Sequence, residues 1–103
     1  MNLNQTLSLS CKLTNPELQQ RKKKAISNLN QLLLEKQELA NGYSYRFAGS
    51  DPMIDLVTDF VKIERLCCDF FHFNMAISND NILWLTITGP ERVKNFIAKE
   101  LEL

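Results

Sequence analysis

Residues 71–88, Phe71-His72-Phe73-Asn74-Met75-Ala76-Ile77-Ser78-Asn79-Asp80-Asn81-Ile82-Leu83-Trp84-Leu85-Thr86-Ile87-Thr88, decide the fold class. Phe71, Phe73, Met75 and Ile77 alternate with His72, Asn74 and Ala76, the period-two pattern of a half-buried strand. Asn79-Asp80-Asn81 follows, a turn built from residues that tolerate positive φ. A second alternating run then puts Leu83, Leu85 and Ile87 on one face and Trp84, Thr86 and Thr88 on the other. Two strands joined by a tight turn must return antiparallel, which predicts a sheet with one apolar and one mixed face.

Working outward, Thr88-Gly89-Pro90-Glu91 reads as a cap that opens a last helix on Val93, Phe96, Ile97 and Leu101. On the other side, Gly49-Ser50-Asp51-Pro52 caps a helix through Met53, Leu56, Val57, Phe60 and Val61, with Ser50 or Asp51 at the N-cap. Tyr43, Tyr45 and Phe47 alternate with Ser44, Arg46 and Ala48 as another strand, and Asn41-Gly42 marks a turn or helix end. Thr14-Asn15-Pro16-Glu17 resembles a capping box for a helix from about Pro16 to Lys36, carried by Leu18, Ala25, Ile26, Leu29, Leu32 and Leu33. Residues 6–13 alternate again, with Leu7, Leu9, Cys11 and Leu13 on one face. The order is β-α-β-α-β-β-α. It predicts an α+β two-layer sandwich with helices on one face of a mixed four-stranded sheet. Strands one to three are expected to be parallel through right-handed crossovers.

The chain has 103 residues, 45% apolar and 23% charged, which suits one globular domain. Twelve basic and twelve acidic residues cancel, so no overall field favours nucleic acid. The basic run Arg21-Lys22-Lys23-Lys24 is expected to lie mostly on the solvated side of the first helix. No apolar stretch is long enough for a bilayer, and the N-terminus lacks the pattern of a secretory signal. A cytoplasmic protein with reduced thiols is expected, and three cysteines make no disulfide framework.

Glu64-Arg65-Leu66-Cys67-Cys68-Asp69-Phe70-Phe71-His72-Phe73 concentrates the chemistry. Continuing the Val57, Phe60, Val61 stripe by three and four lands on Glu64, Cys67 and Cys68. A carboxylate on a core-facing line must be paired, hydrogen-bonded or protonated. It is either a structural acid held by Arg46, a tyrosine hydroxyl or a loop amide, or it is a base or hard ligand beside soft sulfur. Successive helical residues point about 100° apart, and adjacent α-carbons are too close for an ordinary disulfide between Cys67 and Cys68. One thiol therefore faces the core and the other a pocket, or the helix ends near Cys67 and both sulfurs grip a soft cation. Glu64, Asp69 and the helix C-terminus raise a thiol pKa, which favours a ligand or redox pair over a fast nucleophile. His72 has the parity of the opposite sheet face and is expected to miss the cysteines. Cys11 faces inward, but parallel topology places it far from the second helix.

With those residues in view, the chain resembles a group of small bacterial proteins with no assigned activity. The matching residues are Cys11-Lys12-Leu13, Arg21, Tyr45-Arg46-Phe47, Glu64-Arg65-Leu66-Cys67-Cys68, Phe70, Phe73, Leu83-Trp84-Leu85 and Thr88-Gly89-Pro90-Glu91. Asp69 stands where that pattern has proline, so an abrupt helix stop is not dictated there. Similar segments form tails of metal-responsive regulators of the mercury-regulator type. The resemblance implies one set, Cys11, Glu64, Cys67 and Cys68, for a thiophilic ion such as zinc, copper or mercury. Two functions are expected to compete. One is thiophilic metal binding or thiol redox chemistry at Cys67 and Cys68. The other is a non-catalytic module whose open sheet face, with Arg46, His72 and Trp84, forms a homodimer. An enzymatic reading with Glu64 as base lacks an activating histidine.

Overall fold

The structure, a computed structural model, describes residues 15–90, 93–101 and 103. The expected strand at 6–13, with Cys11 and Ser8, lies outside the described residues. Within them, seven elements follow one another: α1 (Pro16–Leu32), β1 (Glu35–Leu39), β2 (Gly42–Ala48), α2 (Asp51–Cys67), β3 (His72–Ser78), β4 (Ile82–Thr88) and α3 (Val93–Leu101). The protein is α+β, and its four strands form one sheet in the order β1-β2-β4-β3.

Among the described residues every strand pair is antiparallel, in place of the expected mixed sheet. The reason lies in 33–42. The charged segment Glu35-Lys36-Gln37-Glu38 contains good helix formers and no alternation, and the helical periodicity extends the first helix to about Lys36. Instead α1 stops at Leu32 and the chain turns at Ala40-Asn41 into an antiparallel hairpin, Leu39 opposite Gly42 and Glu35 opposite Arg46. That hairpin replaces a crossover and reverses β2. An edge strand need not be apolar on either face, and charged side chains there discourage further pairing. β1 is held by charge: Lys36 Nζ sits 4.5 Å from the Tyr43 ring centroid and donates to the Leu103 carbonyl at 2.8 Å, while Lys94 pairs with Glu38.

The hairpin of 71–88 forms as its alternation requires, with Met75 opposite Leu85 and Asn81 in the turn at φ 65°. β4 is central, pairing with β2 as well, so Tyr45, Leu85 and Met75 line up across the sheet. Gly42 lies so close to the next strand that a Cβ would meet the Ile87 carbonyl oxygen at 1.9 Å. On the apolar face Tyr45, Phe47, Leu83, Leu85 and Ile87 are buried with Val57 and Phe60 of α2, Leu29 of α1 and Val93, Ile97 and Leu101 of α3. α1 packs on α2, and α3 packs over β2 and β4. Both long helices start where the sequence places them, the first with Asn15 at its N-cap and the second with Ser50. Asn15 accepts from the Glu17 and Leu18 amides, Ser50 accepts from the Met53 amide, and each helix has proline in its first turn. No helix among the described residues is long and apolar enough to cross a membrane.

Candidate metal centre

The stripe on α2 runs as the spacing requires: Met53, Val57, Phe60, Ile63, Glu64 and Cys67 are buried. The helix ends at Cys67 without a proline. Cys68 leaves helical geometry at φ −125°, ψ 76°, its amide still donating to the Glu64 carbonyl, and the Phe71 amide donates to the Cys68 carbonyl. This tight exit turns Cys68 inward beside Cys67. Both cysteines and Glu64 are 0% exposed, and the two sulfurs lie 3.5 Å apart. Cys68 is free. Cys67, expected to be a reduced thiol, instead forms a disulfide whose partner lies outside the described residues.

Two further residues complete the group, and the sequence reading did not single them out. Lys22 comes from α1, only 9% exposed, and is the buried member of a run whose other three residues are solvated. Its Nζ lies 3.1 Å from Cys67 Sγ and 3.5 Å from Glu64 Oε2, and it pairs with Glu100 of α3. Both could have been found by the rule that found Glu64. Lys22 falls on the Leu18, Ala25, Leu29 line at helical spacing, and Glu100 lies three residues after Ile97. One oxygen or sulfur from each of Glu64, Cys67, Cys68 and Glu100 lies within 4.8 Å of all the others, a group able to hold a metal ion.

The electrostatics of this pocket follow from burial. Neither carboxylate oxygen of Glu64 makes a hydrogen bond of good geometry among the described residues. Burial pushes the Glu64 carboxyl above its ordinary range, opposed by the Lys22 ammonium. The Cys68 thiol is pushed up to about 12, chiefly by burial and then by the Glu64 charge, with Lys22 working the other way. Such a thiol stays protonated at neutral pH until a cation draws off its proton, as metal ligation does.

The other candidates fall elsewhere. Arg46 does not hold Glu64. It reaches from the opposite sheet face to Glu35, with Nη1 to Oε1 at 3.0 Å. On that face Arg46 is opposite Trp84, Thr86 lies between Ser44 and Asn74, and His72 is opposite Thr88. Arg21 pairs with Asp59 at 3.8 Å on the helix surface. His72 and Cys68, expected to stay apart, border the same cavity of about 480 Å³ with Arg65, Asp69 and Phe71. His72 nevertheless lies outside the donor group.

Comparisons with protein-family models, with curated proteins and with solved structures gave no match.

Proposed function

We propose that the reduced protein binds a zinc-class divalent ion through Cys67, Cys68, Glu64 and Glu100. The observation that carries this reading is the convergence of four donors within 4.8 Å, one of them a fully buried carboxylate that faces Lys22 Nζ at 3.5 Å. Burying a carboxylate is costly, and ligating a cation is one way to recover that cost. Two thiolates and two carboxylates form a borderline donor set that suits zinc better than a purely soft ion. The 3.5 Å between sulfurs favours one tetrahedral ion, whose bonds of about 2.3 Å put two sulfurs about 3.8 Å apart. A linear two-sulfur ion such as mercury(II) would need them farther apart.

Cys67 cannot serve as a thiolate ligand while it is in a disulfide. The chain has three cysteines and Cys68 is free, so Cys11 is the proposed partner in the oxidised protein. Peptide mapping of unreduced protein should find a linked Cys11–Cys67 pair. The function is tested by reducing the protein under argon, removing metal with a chelator and titrating zinc. One tightly bound zinc per chain is expected, with affinity falling at least about tenfold in Cys68→Ser. Unchanged zinc binding in a Cys67→Ser/Cys68→Ser protein would sink the reading.

A second reading, self-association through the sheet face that carries no helix among the described residues, is favoured by partly exposed Trp84 set between Arg46 and Ala76. Trp and Arg are common interface anchors. Size-exclusion chromatography of the Trp84→Asp protein distinguishes it, since only a dimer built on this face would dissociate.

A further inference from the structure

The ammonium of Lys22 lies among the donors that a metal would use. Its Nζ is 3.1 Å from Cys67 Sγ and 3.5 Å from Glu64 Oε2, and it is ion-paired with Glu100. Three of the four ligand groups therefore already face one cation. A lone pair cannot serve an ammonium and a metal together, and two cations some 3 Å apart repel strongly in a buried site. Lys22 must leave for a metal to enter.

The fold provides somewhere for it to go. Beyond Lys22, α1 and α3 enclose a groove of about 860 Å³ lined in part by Gln19, Lys22, Lys23, Ser27, Lys99 and Glu100. Lys22 and Glu100 border both this groove and the donor group. A lysine stem of four methylenes lets the charged head move while the stem stays packed, and Gln19 and Ser27 offer polar side chains along the way.

We propose that Lys22 is the resident cation of the metal-free centre, and that a zinc-class ion binds by displacing its ammonium into the α1–α3 groove. This rests on the metal-binding reading above. Lysine then has two effects: it keeps the two carboxylates compensated when no metal is bound, and it sets the affinity lower than the donors alone would give.

Amine acetylation of the reduced full-length protein, read residue by residue by mass spectrometry, tests the displacement directly. Without zinc, Lys22 should react far more slowly than the neighbouring exposed Lys23. With saturating zinc, Lys22 should react at least several-fold faster and Lys23 at an unchanged rate. Bound zinc is measured in the same samples by competition with a chromophoric chelator. One zinc bound per chain with Lys22 still protected overturns the displacement and leaves the metal reading standing. No zinc bound overturns both. Independently, Lys22→Met should bind zinc more tightly by on the order of tenfold or more, the equivalent of a lost charge-assisted hydrogen bond. Equal or weaker binding overturns the proposal. If that variant does not fold, the labelling of the unaltered protein decides alone.

Discussion

Glu64 shows how much one residue can set. Burial raises its pKa from the ordinary 4.5 more than Lys22 lowers it, so the folded chain holds the Glu64 proton more tightly than the unfolded chain does. Stability from that difference is complete below pH 4.5 and drains away as pH rises through the folded-state value. Glu64→Gln should therefore flatten the loss of stability of the metal-free protein above pH 4.5 and remove most of its zinc affinity. Thermal unfolding between pH 4 and 8 checks the first effect, and an unchanged slope would assign the pH dependence to other groups. Cys68 has the same sign. With its pKa pushed up to about 12, alkylation by iodoacetamide at pH 8 should be on the order of a hundredfold or more slower in the folded metal-free protein than in urea. Equal rates would mean the thiol is not desolvated.

At the scale of elements, the centre depends on three helix positions brought to one point, and the caps hold those helices in register. Ser50→Ala removes the acceptor for the Met53 amide and should cost about 1 kcal/mol, measured by urea denaturation. Zinc affinity of the folded fraction should not change, because Ser50 lies nearly five turns from Cys67. The elements were legible in the sequence where pattern and environment agreed. Alternation fixed β2, β3 and β4, and capping residues fixed the starts of α1 and α2. The stripe through Val57 and Phe60 placed Glu64, Cys67 and Cys68 together in the interior. β1 was illegible because Glu35-Lys36-Gln37-Glu38 is strand only through its pairing to β2 and its lysine contacts with α3, neither of which leaves a periodic trace. Missing it turns an antiparallel sheet into a mixed one. Lys22 was hidden for a different reason. Among Arg21, Lys23 and Lys24 a charge looks solvated, and only its place on the Leu18–Ala25–Leu29 line marks it as buried.

For the whole molecule, binding a ligand only in the folded state stabilises that state by mass action. Zinc at about a hundred times its dissociation constant should add about 2.7 kcal/mol to the reduced protein, which for a chain of this size raises the melting temperature by roughly 10 °C or more. Calorimetry with and without zinc measures it, and no shift on zinc addition would contradict a built site. The disulfide-bonded protein should show a much smaller shift, since one of the four donors is then absent.

If Cys67 ligates an ion as proposed, its sulfur has two alternative bonds, and handling would choose between them. Material exposed to air during purification should drift toward the cross-linked species and shed its ion. The zinc content of a preparation would then record its oxygen history as much as its composition in the cell. Two samples of one sequence, one kept anaerobic and one not, would behave as different proteins in melting, mass and alkylation.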